Sequence, residues 1–458
     1  MSVTAATGGL TILPVLDDGL GNQSYVVALG DGRTLVVDPS RDPAPYLRIA
    51  ERLGLRVDFA VETHLHADFI SGGRELAAQG ATLFAPHAAQ LQTTYQALDD
   101  GDEVKLGRFR LRALGTPGHT PEHLAYLLLD RSTPHALFSG GALIPGGAAR
   151  TDLIDSDQTE QLARALYRSV RHHLASLPDD LIVYPTHGAG SFCSAGAGGQ
   201  RTTTLGQERQ VNPLLTTPDE GAFVQTLLSG LGSYPSYFRR LRAVNQGGAR
   251  VYGRTLPDLP LLSLETFRRQ QAAGAMLIDT RPFPEFAAAH VPGAVSIALR
   301  PAFASWLGWL IPVDRPLIFV MGPDQDRRDL VSQCLKIGYE SLVGELDGGM
   351  AAWRGRGLRE AAIALRQPID DLGRAPLDVR QDGEWARGHL PGAQHLELGS
   401  LKDSTHVLPA GALTLYCGHG ERAMTAASLL EAHGRKGLAV LDGGFEAWLE
   451  AGHPVAVG

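Results

Sequence analysis

Cysteine is scarce in this chain, with three in 458 residues, too few for a disulfide framework. Each must matter through thiol chemistry or core packing, and a reducing cytoplasm is the expected setting. Long apolar runs are missing too. Nothing approaches the roughly 18 apolar residues that a spanning helix needs, so no membrane association is expected. Met1 to Leu13 carries no Lys or Arg and does not read as a secretory leader. A basic excess is also absent. Lys and Arg total 41 against 49 Asp and Glu, for a net charge of −8. No cationic cluster points to nucleic acid or to an anionic membrane.

What is present is an ordinary globular composition, 44% apolar and 20% charged, long enough for about three domains. The C-terminal part contains an internal repeat. Leu277-Ile278-Asp279-Thr280-Arg281 recurs as Pro376-Leu377-Asp378-Val379-Arg380, and each copy continues through an acidic-aromatic pair, Glu285-Phe286 or Glu384-Trp385. Each then reaches His-x-Pro-Gly-Ala, at His290 and His389. These landmarks lie 99 positions apart, whereas Leu346-Asp347-Gly348-Gly349 and Leu441-Asp442-Gly443-Gly444 lie 95 apart. The four extra residues of the first copy are expected near Trp306 to Pro312. Each copy reads as α/β with a parallel sheet. The boundaries are set at 1–255, 256–362 and 363–458. Ser194 to Gln207, rich in Gly and Thr, is expected to be a loop.

Cys417-Gly418-His419-Gly420-Glu421-Arg422 lies between an apolar strand, Leu413 to Tyr416, and a helix from Arg422 to His433 with Ala423, Ala426, Ala427 and Leu430 at helical spacing. A sulfur nucleophile must be ionised, and a loop at a helix N-terminus turns backbone N–H groups toward the sulfur. The glycines let the backbone curl around it. Arg422 can bind an anion with its fork of donors. Cys417 and Arg422 are therefore the catalytic candidates, with Gly418, His419, Gly420 and Glu421 as the substrate-binding loop. With the flanking landmarks, this segment resembles the rhodanese family, which implies a persulfide carried on Cys417. The first copy has no thiol in its loop. Gly322 falls opposite Cys417 and Arg327 opposite Arg422, or Met321 opposite Cys417 if the frame shifts by one. That copy is expected to be structural or docking. Cys334 reads as core, and Cys193 has no assigned role.

The N-terminal part holds a second constellation. Thr63-His64-Leu65-His66-Ala67-Asp68 follows the apolar run Phe59-Ala60-Val61, and later histidines stand at Gly118-His119-Thr120 and Thr186-His187-Gly188. Histidines one residue apart on a turn, with a carboxylate beside them, can converge on a metal. His64, His66 and His119 are the candidate ligands, with Asp68 and His187 secondary. His87, His123 and His135 are expected to be ordinary or supporting residues. The pattern resembles the metallo-β-lactamase superfamily over about residues 10 to 250. Glu62 to Gly72, Pro117 to His123 and Arg150 to Leu153 are similar to the persulfide dioxygenase branch fused to rhodanese domains. The resemblance implies an αββα sandwich and one non-haem iron on His64, His119 and an aspartate. Gly141, in Ser139-Gly140-Gly141-Ala142, stands where that aspartate is expected, and Phe69 replaces a histidine of two-metal relatives. Three outcomes stay open: one zinc on His64, His66 and His119; iron with another group in the vacant position; or no metal.

The expected function is sulfur metabolism, with sulfur transfer at Cys417 and an N-terminal domain like persulfide dioxygenase but impaired by Gly141. Metal-dependent thioester hydrolysis of the glyoxalase II type is one alternative, and a non-catalytic sulfur-carrier or docking protein is another. The expected partners are thiosulfate and thiol persulfides such as that of glutathione. The location is expected to be cytoplasmic, and self-association is left open.

Overall fold

A computed structural model describes residues 9–174, 176–195, 199–369, 372, 375–401, 406 and 408–457. It divides into two units, Met1–Pro257 with Ser332–Gly338, and Asp258–Val331 with Tyr339–Gly458. No helix among the described residues is long and apolar enough to cross a membrane.

In the first unit the strands alternate, so one sheet face can meet a second sheet while the other meets helices. Tyr25 and Val27 of strand Asn22–Ala28 point into a core shared with Phe109, Tyr126 and Phe138. Val26, between them, packs outward with Val36, Ala60, Tyr46 and Leu76. The first sheet runs Thr11–Asp17, Asn22–Ala28, Arg33–Val37, Arg56–Val61, Thr82–Pro86, Gln96–Leu98. The second runs Thr203–Thr204, Ile182–Pro185, Thr133–Gly140, Leu124–Asp130, Phe109–Gly115, Glu103–Leu106. Helices Thr159–Ser169 and Glu220–Ser229 bring Leu166 and Phe223 against the outer face of the second sheet, at Leu127, Leu129 and Leu137. The result is the αββα sandwich. The segment expected to be a loop, Ser194 to Gln207, instead contributes the strands Ser194–Ala195 and Thr203–Thr204 and the start of helix Leu205–Val211. Ile182 and Val183 pair with Thr204 and Thr203 there. Residues 196–198 of that segment lie outside the described residues.

The second unit holds two five-stranded sheets whose strands all pair in parallel. One runs Leu261–Leu262, Leu342–Leu346, Leu317–Val320, Met276–Asp279, Val295–Ser296; the other runs Ala364–Arg366, Leu438–Leu441, Leu413–Tyr416, Leu377–Asp378, Gln394–His395. The strand order is the same, as the repeat requires. Helix Phe303–Leu310 occupies the region expected to hold the extra residues of the first copy; on the other side, residues 402–405 lie outside the described residues.

Strand register corrects one detail of the repeat. Asp279 pairs with Val320, and Asp378 with Tyr416. Met321, not Gly322, therefore stands opposite Cys417. The loop from Met321 to Arg327 is one residue longer than that from Cys417 to Arg422.

Each copy also buries one ion pair at its strand end. Arg281 forks onto Asp279 at 2.6–3.2 Å and donates to the Ala289 carbonyl at 2.9 Å. Arg380 forks onto Asp378 at 2.6–3.0 Å and donates to the Gly388 carbonyl at 2.7 Å. The pair thus ties the strand end to the turn leading into His-x-Pro-Gly. Arg380→Ala leaves the buried Asp378 carboxylate without its cation and should destabilise this copy by about 3–5 kcal/mol. Denaturant unfolding would show a lowered midpoint. Arg164→Ala, which breaks an exposed pair with Glu160, should leave the midpoint unchanged.

Candidate functional site

The chain ends of the sandwich strands gather the histidines. His64 and His66 follow strand Arg56–Val61, His119 lies between Phe109–Gly115 and Leu124–Asp130, and His187 follows Ile182–Pro185. All four are buried. The His119 Nδ1–H donates to the Arg150 carbonyl at 2.7 Å. The Thr63 hydroxyl donates to Asp38 Oδ2 at 2.8 Å, so it accepts from the His64 Nδ1–H, also at 2.8 Å. The His187 Nδ1–H faces Asn22 Oδ1 at 3.0 Å and Asp68 Oδ2 at 3.4 Å. In all three rings the proton is fixed on Nδ1, and the Nε2 lone pair is left for the interior.

His66 is held differently. Its Nε2 faces Glu62 Oε2 at 3.2 Å and Asp38 Oδ1 at 3.3 Å. Burial opposes a charge on this ring, but Asp38 and Glu62 outweigh it and push its pKa up to about 10. Burial, with neighbouring imidazoles, holds His64 well below its ordinary value and pushes His119 and His123 down to about 3. Asp38 accepts from the Thr63 amide at 2.6 Å and from the Thr186 hydroxyl. Asn22 Nδ2 donates to Asp68 Oδ2 at 2.6 Å. Sequence reasoning assigned no role to Asp38 or Asn22; the Val36-Val37-Asp38-Pro39 strand end was the available signal for the first. His123 is a supporting residue. It stacks on His64 at 5.0 Å, and its Nε2 accepts the Gly141 amide at 2.9 Å.

The donor set fits a metal ion. The ligand atoms of His64, His119 and His187 lie within 4.8 Å of one another, as do those of His66, Asp68 and His187. Among the described residues, His119 Nε2, His66 Nδ1 and Asp68 Oδ1 are buried without a hydrogen-bond partner, a costly condition that an ion would relieve. The grouping differs from the expected one: His187 joins His64 and His119, while His66 turns to carboxylates. A Cβ at Gly141 would lie 2.7 Å from His119 Cδ2 and 2.8 Å from Ala149 Cβ. The His119 ring occupies the space a side chain would enter. Exposed His87 pairs with Asp99, and half-buried His135 packs edge-on to Phe109 at 6.3 Å. Buried Cys193 has its thiol pushed up by burial and by Asp68, so it stays protonated.

The cysteine loop forms as its sequence demands. Cys417 follows strand Leu413–Tyr416 and precedes helix Glu421–Ala432. The Gly420 amide donates to its Sγ at 3.2 Å. Gly420 has φ 111°, and a Cβ there would lie 2.8 Å from Phe283 Cζ of the first copy, so only glycine fits. His419 is exposed and Gly418 and Glu421 are half-buried. Arg422 is not free. Its fork grips Glu384, of the acidic-aromatic pair, at 2.6 and 2.8 Å. Burial opposes ionisation of Glu384, but Arg422 outweighs it and holds the carboxyl below its ordinary range. The ion pair is therefore complete near neutral pH and is lost as pH falls through the lowered carboxyl value. Cys334 is buried.

Comparison with known proteins agrees with both halves. Residues 17–187 match the metallo-beta-lactamase superfamily, and residues 263–356 and 362–451 match the rhodanese-like domain. Over 42% of this chain and 72% of its own length, the human mitochondrial persulfide dioxygenase ETHE1 is 33% identical. A hydroxyacylglutathione hydrolase of Xanthomonas oryzae is 32% identical over 39% of this chain and 64% of its own length. The crystal structure of a metallo-beta-lactamase from Staphylococcus aureus superposes with a TM-score of 0.63 at 27% identity, covering 74% of this chain and 99% of that one. The chain belongs to the metallo-β-lactamase superfamily, as a fusion of one such domain of the persulfide dioxygenase type to two rhodanese-like domains.

Proposed function

We propose that this protein is a sulfurtransferase of sulfur metabolism that carries sulfane sulfur as a persulfide on Cys417. The observation that carries the reading is the Cys417 loop, with its sulfur bonded by the Gly420 amide at the head of a helix. A backbone N–H aimed at the sulfur can hold a persulfide anion formed there. After losing its proton to solvent, the Cys417 thiolate attacks the outer sulfur of thiosulfate or of a low-molecular-weight persulfide. The S–S bond of the donor breaks, and sulfite or a thiolate leaves. The loop amides then hold the Cys417 persulfide anion. An acceptor thiolate takes the outer sulfur and restores Cys417.

Arg422 orients the anionic donor, and Glu384 sets its terms of entry. Paired with a carboxylate, the guanidinium presents less net positive charge to a dianion. A persulfide whose reacting end carries a single negative charge suits the pocket better than thiosulfate does.

The N-terminal domain would work on the same class of compound. Its metal, drawn into the cluster of His64, His66, Asp68, His119 and His187, would supply the site at which dioxygen oxidises a persulfide to sulfite. The chain's own part is to fix each imidazole proton through Thr63, Arg150 and Asn22. A thioester hydrolase is the second reading, favoured by the likeness to hydroxyacylglutathione hydrolases. A sulfur carrier without turnover is the third.

Cys417→Ser should abolish thiosulfate-to-cyanide sulfur transfer, whereas Cys193→Ser and Cys334→Ser should leave it intact; thioester cleavage with no transfer would favour the second reading. Glu384→Gln should lower KM for thiosulfate about fivefold, from ~1 kcal/mol of relieved repulsion, with kcat little changed. Steady-state kinetics of the pure variants would check both.

A further inference from the structure

His64, His119 and His187 form a nearly regular triangle, with ring centroids 4.7, 5.2 and 5.3 Å apart. Their Nδ1–H groups are each committed outward, to Thr63, the Arg150 carbonyl and Asn22. The three Nε2 atoms therefore face one another as lone pairs. Those of His64 and His187 stand only 3.3 Å apart. Two lone pairs at that distance repel unless a cation lies between or beside them. His119 Nε2 is buried with no hydrogen-bond partner among the described residues, so a third acceptor is aimed into the same space.

We propose that His64, His119 and His187 are the metal ligands of this domain, all bound through Nε2, with His187 replacing the carboxylate that Gly141 lacks. His66 is then a positioning residue. Its Nε2 is turned to Glu62 and Asp38, and although its Nδ1 is buried without a partner among the described residues, its close groupings are with these carboxylates or with Asp68 and His187, not with His64 and His119. Gly141 and the triangle belong together. A Cβ at 141 would collide with the His119 ring in the position from which that ring reaches the other two. Asn22 and Asp68 fix the third ligand through its Nδ1–H, the outer-partner arrangement common to metal-bound histidines. The resulting set has three neutral nitrogens and no carboxylate touching the ion, which suits zinc or iron(II). The assignment stands apart from sulfur transfer at Cys417, because cobalt(II) alone is its probe.

The metal-free full chain would be titrated with cobalt(II) and followed by visible absorption and by proton NMR. Tight binding is expected, with three exchangeable, paramagnetically shifted imidazole N–H signals. Nitrogen-15 correlation should place all three on Nδ1. In His187→Gln one of the three should vanish and cobalt affinity should fall by about tenfold or more. One shifted proton on Nε2 in the wild type would mean that His66 binds through Nδ1, and would overturn the proposal. So would only two shifted signals, no cobalt binding, or an unchanged spectrum in His187→Gln. The Nδ1 assignment needs only the wild-type protein, so it decides even if the variant does not fold.

Discussion

The buried carboxylate of Asp38 is the constraint on which the first domain depends. It follows strand Arg33–Val37 of one sheet, yet it accepts from Thr63 and from Thr186, which follows strand Ile182–Pro185 of the other. Burial alone would neutralise it. His66 outweighs that cost and holds its pKa below the ordinary range. An ionised Asp38 accepts a hydrogen bond from the Thr63 hydroxyl, which leaves that oxygen to accept from His64 and so fixes which nitrogen of His64 faces the interior. One carboxylate thus joins the two sheets and sets the state of two histidines. A charge buried this deeply is stable only when every lone pair is used.

The second unit shows the same economy twice. Asp279 with Arg281, and Asp378 with Arg380, are buried pairs at equivalent strand ends. What differs is what the loop following the central strand contains. In one copy it is tightened to six residues around Cys417, with Gly420 pressed under Phe283. In the other it is one residue longer and begins with Met321. Gln325 fills it, hydrogen-bonded to the Gly322 amide at 2.8 Å and to Thr280, and Arg327 is gripped by Glu345 at 2.9 and 3.0 Å. The copies share their scaffold, and only the second places a thiol in its loop.

Much of this was legible in the sequence. The 99- and 95-residue offsets mark two equivalent units, and Cys417 to Arg422 marks the loop. The His64-x-His66-x-Asp68 run with two later histidines marks the cluster. What was not legible has physical causes. Strand register decides whether Met321 or Gly322 faces Cys417, because a one-residue slip is invisible to landmarks outside the loop. The turn of His66 toward Glu62 and Asp38 depends on groups distant in sequence, as does the approach of His187 to His64. Glu384 was visible as part of a repeated pair, but its grip on Arg422 crosses 38 residues and leaves no local pattern. Within Ser194 to Gln207, Thr203–Thr204 supplies an edge partner to Ile182–Pro185 and Ser194–Ala195 pairs with Ala148–Ala149, tertiary demands that override a loop-like composition.

Intact-peptide mass spectrometry after brief exposure to glutathione persulfide or thiosulfate decides whether Cys417 alone carries sulfur. The expected result is a mass gain of one sulfur atom on the peptide containing Cys417, removed by a reducing thiol, with the Cys193 and Cys334 peptides unchanged. Sulfur found on Cys193 or Cys334, or on no cysteine while the donor is consumed, would contradict it.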